Sequence, residues 1–143
     1  MLLGIVLSII AGMAMSVQGV MNTRLGDGIG NMEANAFVQG TAFALAMIVL
    51  LFWRQGSFSA LGSVSKLYWL GGALGLVITL TVMLGIKSLG TTVAISIILI
   101  SQLLVAALID AFGLMGSEKI AFGWNKFVGL AVMCGGMLLF KLR

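Results

Sequence analysis

The chain has no histidine, no proline and a single cysteine, Cys134, in 143 residues. Without histidine, a His-ligated metal centre, a Ser-His-Asp triad and a Cys-His pair are all excluded within one chain. One cysteine likewise excludes an internal disulfide. Charge is scarce too: 8% of residues are charged, against about 25% in soluble domains. Hydrophobic residues make up 61%, where soluble domains hold about 45–50%. A water-soluble monomer cannot cover its surface with so few charges, and disorder requires the opposite composition. The eight Lys and Arg are scattered, with no run of the kind that binds nucleic acid. An integral membrane protein remains, with no enzyme activity, cofactor or metal site expected.

A spanning helix needs about 20 mostly apolar residues to cross about 30 Å of hydrocarbon. Five segments meet or approach that length: 2–21, 34–53, 67–86, 92–112 and 121–140. Polar or Gly-rich breaks separate them at 22–33, 54–66, 87–91 and 113–120, each too short for a folded domain. None of the runs alternates as the strands of a membrane barrel do. The expected fold is therefore all-α, a single transmembrane domain over 1–143 with five helices. The first segment has no basic start, and its apolar run exceeds the 7–15 residues of a signal core, so it is expected to stay as a helix.

Orientation follows the Lys/Arg bias of short loops. With the N-terminus on side A, five crossings place Arg54, Lys66, Lys119 and Lys126 on side A. They place Arg24, Lys87, Lys141 and Arg143 on side B. The balance is even, so charge gives the insertion machinery no reason to prefer one orientation. The expectation is dual topology, with copies inserting both ways and pairing antiparallel about a two-fold axis in the membrane plane. The competing reading is that another feature, such as a dominant first helix, fixes one orientation.

At 100° per residue, Gly4, Ser8, Ala11, Met15, Gln18 and Asn22 form one stripe on the first helix. Tyr68, Gly72, Gly75 and Thr79 do so on the third, and Thr92, Ser96, Leu99, Gln102, Ala106 and Asp110 on the fourth. The second helix carries Glu33, Phe37, Gly40, Ala44 and Met47 on one side, with Asn35, Gln39, Ala42 and Ala46 on the other. Lipid has no hydrogen bonds to offer, so polar groups in a span point at protein or at a watery cavity. Either the stripes enclose one solute cavity, or the amides join helices at about 0.6 kcal/mol each. On the first reading Gln18, Asn22, Gln39, Thr79, Ser96 and Gln102 are the candidate substrate-binding residues. Glu33 and Asp110 are the candidates for coupling or charge compensation. Glu33 also suits a helix start electrostatically, whereas Asp110 lies near a helix end, where the dipole disfavours an anion. Lys119, Lys126, a substrate cation or a proton would offset it. The remaining carboxylates, Asp27 and Glu118, read as solvated. Little polarity and its glycines, Gly129, Gly135 and Gly136, make the fifth helix the candidate for holding a dimer together.

The stretch Gln18-Gly-Val-Met-Asn22-Thr-Arg-Leu25-Gly26 resembles the start of the YdcZ-like family, a five-helix branch of the drug/metabolite transporter superfamily. Leu89-Gly90, Ser101-Gln102-Leu103-Leu104, Leu108-Ile109-Asp110-Ala111-Phe112-Gly113-Leu114, Gly129-Leu130 and Gly135-Gly136 extend the resemblance nearly end to end. It implies a multi-pass protein of the bacterial inner membrane. The resemblance also implies a half-size unit that pairs with an oppositely oriented copy or paralogue and transports a small organic solute, with or without proton coupling. Composition and pattern alone also leave open an antiparallel channel, a lipid-substrate flippase and a non-transporting assembly subunit.

Overall fold

The computed structural model describes residues 1–142, so Arg143 of the charge count lies outside it. The chain forms two compact units, Met1–Lys87 and Ser88–Arg143. Among the described residues the fold is all-α, with five α-helices: α1 Leu2–Ile29, α2 Asn31–Phe52, α3 Gly71–Leu89, α4 Thr91–Phe112 and α5 Trp124–Lys141. Four of them, with α3 extended back to Lys66 by a 3-10 turn, are long and apolar enough to cross a membrane. The fifth, α5, is only 18 residues long, opens on Asn125 and Lys126 and closes on Lys141. It begins at Trp124 and not at Ala121, because residues 117–123 form a non-helical link.

The polar breaks expected at 22–33 and 87–91 are almost entirely helical. Each shrinks to one residue, Gly30 between α1 and α2 and Gly90 between α3 and α4. Polar side chains do not interrupt a helix by themselves; a backbone conformation closed to other residues does. Gly30 has φ 101°, ψ 146° and Gly90 has φ 79°, ψ 160°, a region that is essentially glycine-only. In both, the glycine carbonyl starts the next helix by accepting an N–H four residues on, from Ala34 at 2.9 Å and from Ala94 at 3.1 Å. Both alanines are buried. A Cβ on Gly30 would also meet the Glu33 carboxylate. Gly30→Ala is therefore expected to destabilise the first unit by about 1–3 kcal/mol, read as a lowered melting temperature in detergent.

In the first unit α1 packs along α2. The tips of α3 side chains reach α1 where it is smoothest: a Cβ on Gly19 would lie 3.0 Å from Ile86 Cδ1, and one on Gly26 2.6 Å from Met83 Cε. Gly19, Asn22, Thr23 and Gly26 form the buried face of α1. Ala34, Asn35, Met83 and Ile86 complete this small core. At most 11% of the most apolar stretch of any candidate span is buried within the chain. Most of the remaining leucines, isoleucines, valines and phenylalanines face outward, as they do where lipid or another protein replaces water.

In the second unit α4 packs against α5. Gly113 caps α4 in the left-handed conformation, φ 63°, ψ 37°, the usual role of glycine just past a helix end. The Asp110 carbonyl there accepts N–H bonds from Gly113 and, at 2.9 Å, from Ile120, which folds the link back onto the end of α4.

Candidate functional site

Polar side chains gather in two places within the first unit. The first is the seam between α2 and α3. Asn35 and Gln39, one turn apart on α2, both face α3. The Asn35 amide Nδ2 donates to the Leu76 carbonyl at 3.0 Å. Gln39 Nε2 sits 3.4 Å from where a Gly75 Cβ would stand, which places the amide beside Gly75 of α3. Thr79 lies one turn on, its hydroxyl donating to the Gly75 carbonyl at 2.9 Å. Asn35 is 1% exposed, and its Oδ1 has no hydrogen-bond partner among the described residues. A buried carbonyl oxygen left this way typically costs about 1–3 kcal/mol.

The second place is an open groove of about 470 Å³ on α1, lined by Ile10, Met13, Ala14, Val17, Gln18, Met21 and Asn22. Its floor is apolar. Gln18 is exposed on it, whereas Asn22 is 7% exposed and turned inward. The stripe read from the sequence thus splits at Asn22, where the outward row meets the packed face.

Beyond this core, the ends of α1 and α3 are joined by charge. Lys87 Nζ lies 2.8 Å from Asp27 Oδ1, and Arg24 lies 3.9 Å from the other oxygen. Asp27 is therefore paired, not simply solvated. All three groups are well exposed, and exposed pairs contribute little in water. Lys87→Gln is accordingly expected to leave the melting temperature nearly unchanged in high salt, measured in the same detergent as the native protein.

In the second unit Ser96 donates back to the Thr92 carbonyl at 2.8 Å. With Leu99 and Ile100 it lines a groove of about 220 Å³ whose other wall is Met133, Gly136, Met137 and Phe140 of α5. The part of the α4 stripe nearest its start is thus turned to α5. Gln102, at the middle of α4, is exposed, and its side-chain amide makes no hydrogen bond among the described residues. Gly129 and Gly135 of α5 have open space where a Cβ would go.

Among the described residues, neither candidate carboxylate is in an ion pair. Glu33 is exposed in the first turn of α2, beside Gly30. Asp110 is half-buried in the last turn of α4. The pairing of Asp110 with Lys119 or Lys126 is not formed among the described residues; Lys126 Nζ instead stands over the Phe122 ring, 5.7 Å from its centroid. The described residues contain no group of three or more His, Cys, Asp or Glu placed to hold a metal ion.

Of the sequence candidates, Gln39 and Thr79 each lie beside Gly75, and Gln18 and Asn22 share one groove. Asn35, which is not in the candidate set, lies in the same seam as Gln39. Its signal was present in the sequence, as the neighbour of Gln39 on one face of α2.

A family model described as "Putative inner membrane exporter, YdcZ" matches residues 3–139. No curated protein and no solved structure matches the chain.

Proposed function

Since the chain belongs to the YdcZ family of inner-membrane exporters, not to a family of enzymes, and is a multi-pass inner-membrane protein of the transporter kind, we propose that it is a secondary transporter for a small organic solute. Its working unit is an antiparallel, dual-topology homodimer of five-helix protomers. The solute binds near the midplane at polar groups from both protomers, and alternating access is an exchange between two equivalent arrangements of the pair. Gln18, Asn22, Gln39, Thr79, Ser96 and Gln102 supply neutral hydrogen bonds; Glu33 and Asp110 carry charge compensation or a coupling proton.

The observation that carries this reading is Gln102. It stands at the middle of α4, exposed, with no hydrogen-bond partner among the described residues. An amide does not face hydrocarbon at that depth without a partner or a watery cavity. The even charge balance lets a second copy arrive upside down and supply either.

The test has two arms. Purified protein in proteoliposomes, screened against labelled small organic solutes, is expected to show gradient-driven flux at or below about 10³ per second. Far faster flux would make it a channel. In a Cys134→Ser background, Ser117→Cys is expected to react with an impermeant thiol reagent from both faces of the membrane. Reaction from one face alone would mean that all copies point the same way.

A further inference from the structure

The α2–α3 seam holds more hydrogen-bonding capacity than the packed chain uses. Asn35 offers an oxygen with no partner among the described residues, although the residue is 1% exposed. Its own nitrogen is committed to the Leu76 carbonyl, which fixes the amide orientation and leaves Oδ1 as the free end. The neighbouring carbonyls are already in use, Leu76 accepting from the Asn35 amide and Gly75 from the Thr79 hydroxyl, with Gln39 Nε2 beside Gly75. At this level α3 presents Gly75, where a Cβ would stand in ordinary contact, 3.4 Å, with Gln39 Nε2. No carboxylate belongs to this set: α3 has no acidic residue, and Glu33 lies exposed at the start of α2.

We propose that Asn35 Oδ1 is a solute-binding acceptor, reached when α2 and α3 part beside Gly75. The group it takes is an uncharged hydrogen-bond donor, a hydroxyl or an amide N–H. An unpaired amide oxygen can only accept, so what it takes is a donor. With no anion among its walls the seam would leave a cation uncompensated after desolvation, at a cost that would weaken binding severely. An uncharged donor meets the orphan oxygen without that cost. The proposal rests on the transporter reading above and names the class of solute it would carry.

Two measurements on the full-length protein test it. Acetamide, which has N–H donors, and N,N-dimethylacetamide, which has none, are compared as probes in thermal melts. The first is expected to raise the melting temperature relative to the second. That difference is expected to vanish in Asn35→Leu and to persist in Ala36→Leu. The two probes acting alike on the native protein, or a difference that survives in Asn35→Leu, would overturn the proposal. Should Asn35→Leu not fold, Asn35→Ala takes its place in the same comparison, with the same two outcomes. Probes that act alike on a native protein showing gradient-driven flux would overturn the proposal while the transporter reading stands. Absence of flux from the native protein sinks the transporter reading instead.

Discussion

Arg54→Gln combined with Lys66→Gln is expected to insert in one orientation and to lose transport on its own. The complementary pair, Arg24→Gln with Lys141→Gln, is expected to do the same in the opposite orientation. On five crossings the count is even, and each pair removes two cations from one side, leaving four against two, so that the Lys/Arg bias of short loops then sets the direction of insertion. If the working unit is antiparallel, each biased population lacks the partner it needs, and co-expression of the two restores flux. The largest effect is this all-or-none complementation, scored by proteoliposome flux for each variant alone and for the mixture. Full activity of either variant alone, in a population shown by thiol labelling to point one way, would mean that the transport unit does not depend on inverted copies. Neither pair touches the small core of the first unit, so a general failure to fold is not the expected cause of lost activity.

The second large effect is expected at Gln102. Gln102→Leu should lower flux by at least about tenfold, equivalent to about 1.4 kcal/mol, while the melting temperature stays level or rises. The amide makes no bond among the described residues. Its removal therefore loses nothing within the chain, and only a function that uses the amide suffers. A residue that merely joined helices would behave differently: stability and activity would fall together. Asp110→Asn separates the coupling role in the same assay. If Asp110 carries the coupling proton, the variant retains solute exchange but no longer responds to a pH gradient. Unchanged flux in both variants would remove these residues from the mechanism.

Helices α1 to α4 are legible in the sequence because each contains a long apolar run. The corners between them are less so. The polar letters from Asn22 to Glu33 suggest a loop, yet the backbone needs only Gly30 to turn, since a helix tolerates Thr23, Arg24 and Asp27 wherever they reach the interface. At 28 residues, α1 is about 42 Å long, more than the hydrocarbon thickness, so its last turns have polar surroundings available. The end of the chain is harder to read. The run from Ala121 suggests a full span, but Asn125 and Lys126 fall within the first turn of α5 and shorten the apolar part.

The candidate site was readable as residue types on helix faces, not as pairings. Gln39 and Thr79 can be placed in a seam from their stripes because small or polar residues on two helices tend to meet. The bond from Asn35 could not be anticipated. Its partner is a backbone carbonyl, a group every residue has, so no letter at position 76 announces it. The Asp27–Lys87 pair was hidden for another reason: its members lie far apart in the chain, and only the approach of α1 and α3 brings them together. Asp110 shows the opposite failure. Two lysines close in sequence suggested a partner, but the link after Gly113 is tied down by its backbone bond from Ile120, and no cation reaches the carboxylate among the described residues.

The corner at Gly30 has a mechanical consequence. It is a single residue long, and its carbonyl is already engaged as the first acceptor of α2. There is no slack in which a small displacement could dissipate. A few degrees of torsion at that one residue would swing the far tips of α1 and α2 by several ångströms, since each arm is about 30–40 Å long. Motion beginning at one membrane face would thus be delivered, enlarged, to the other.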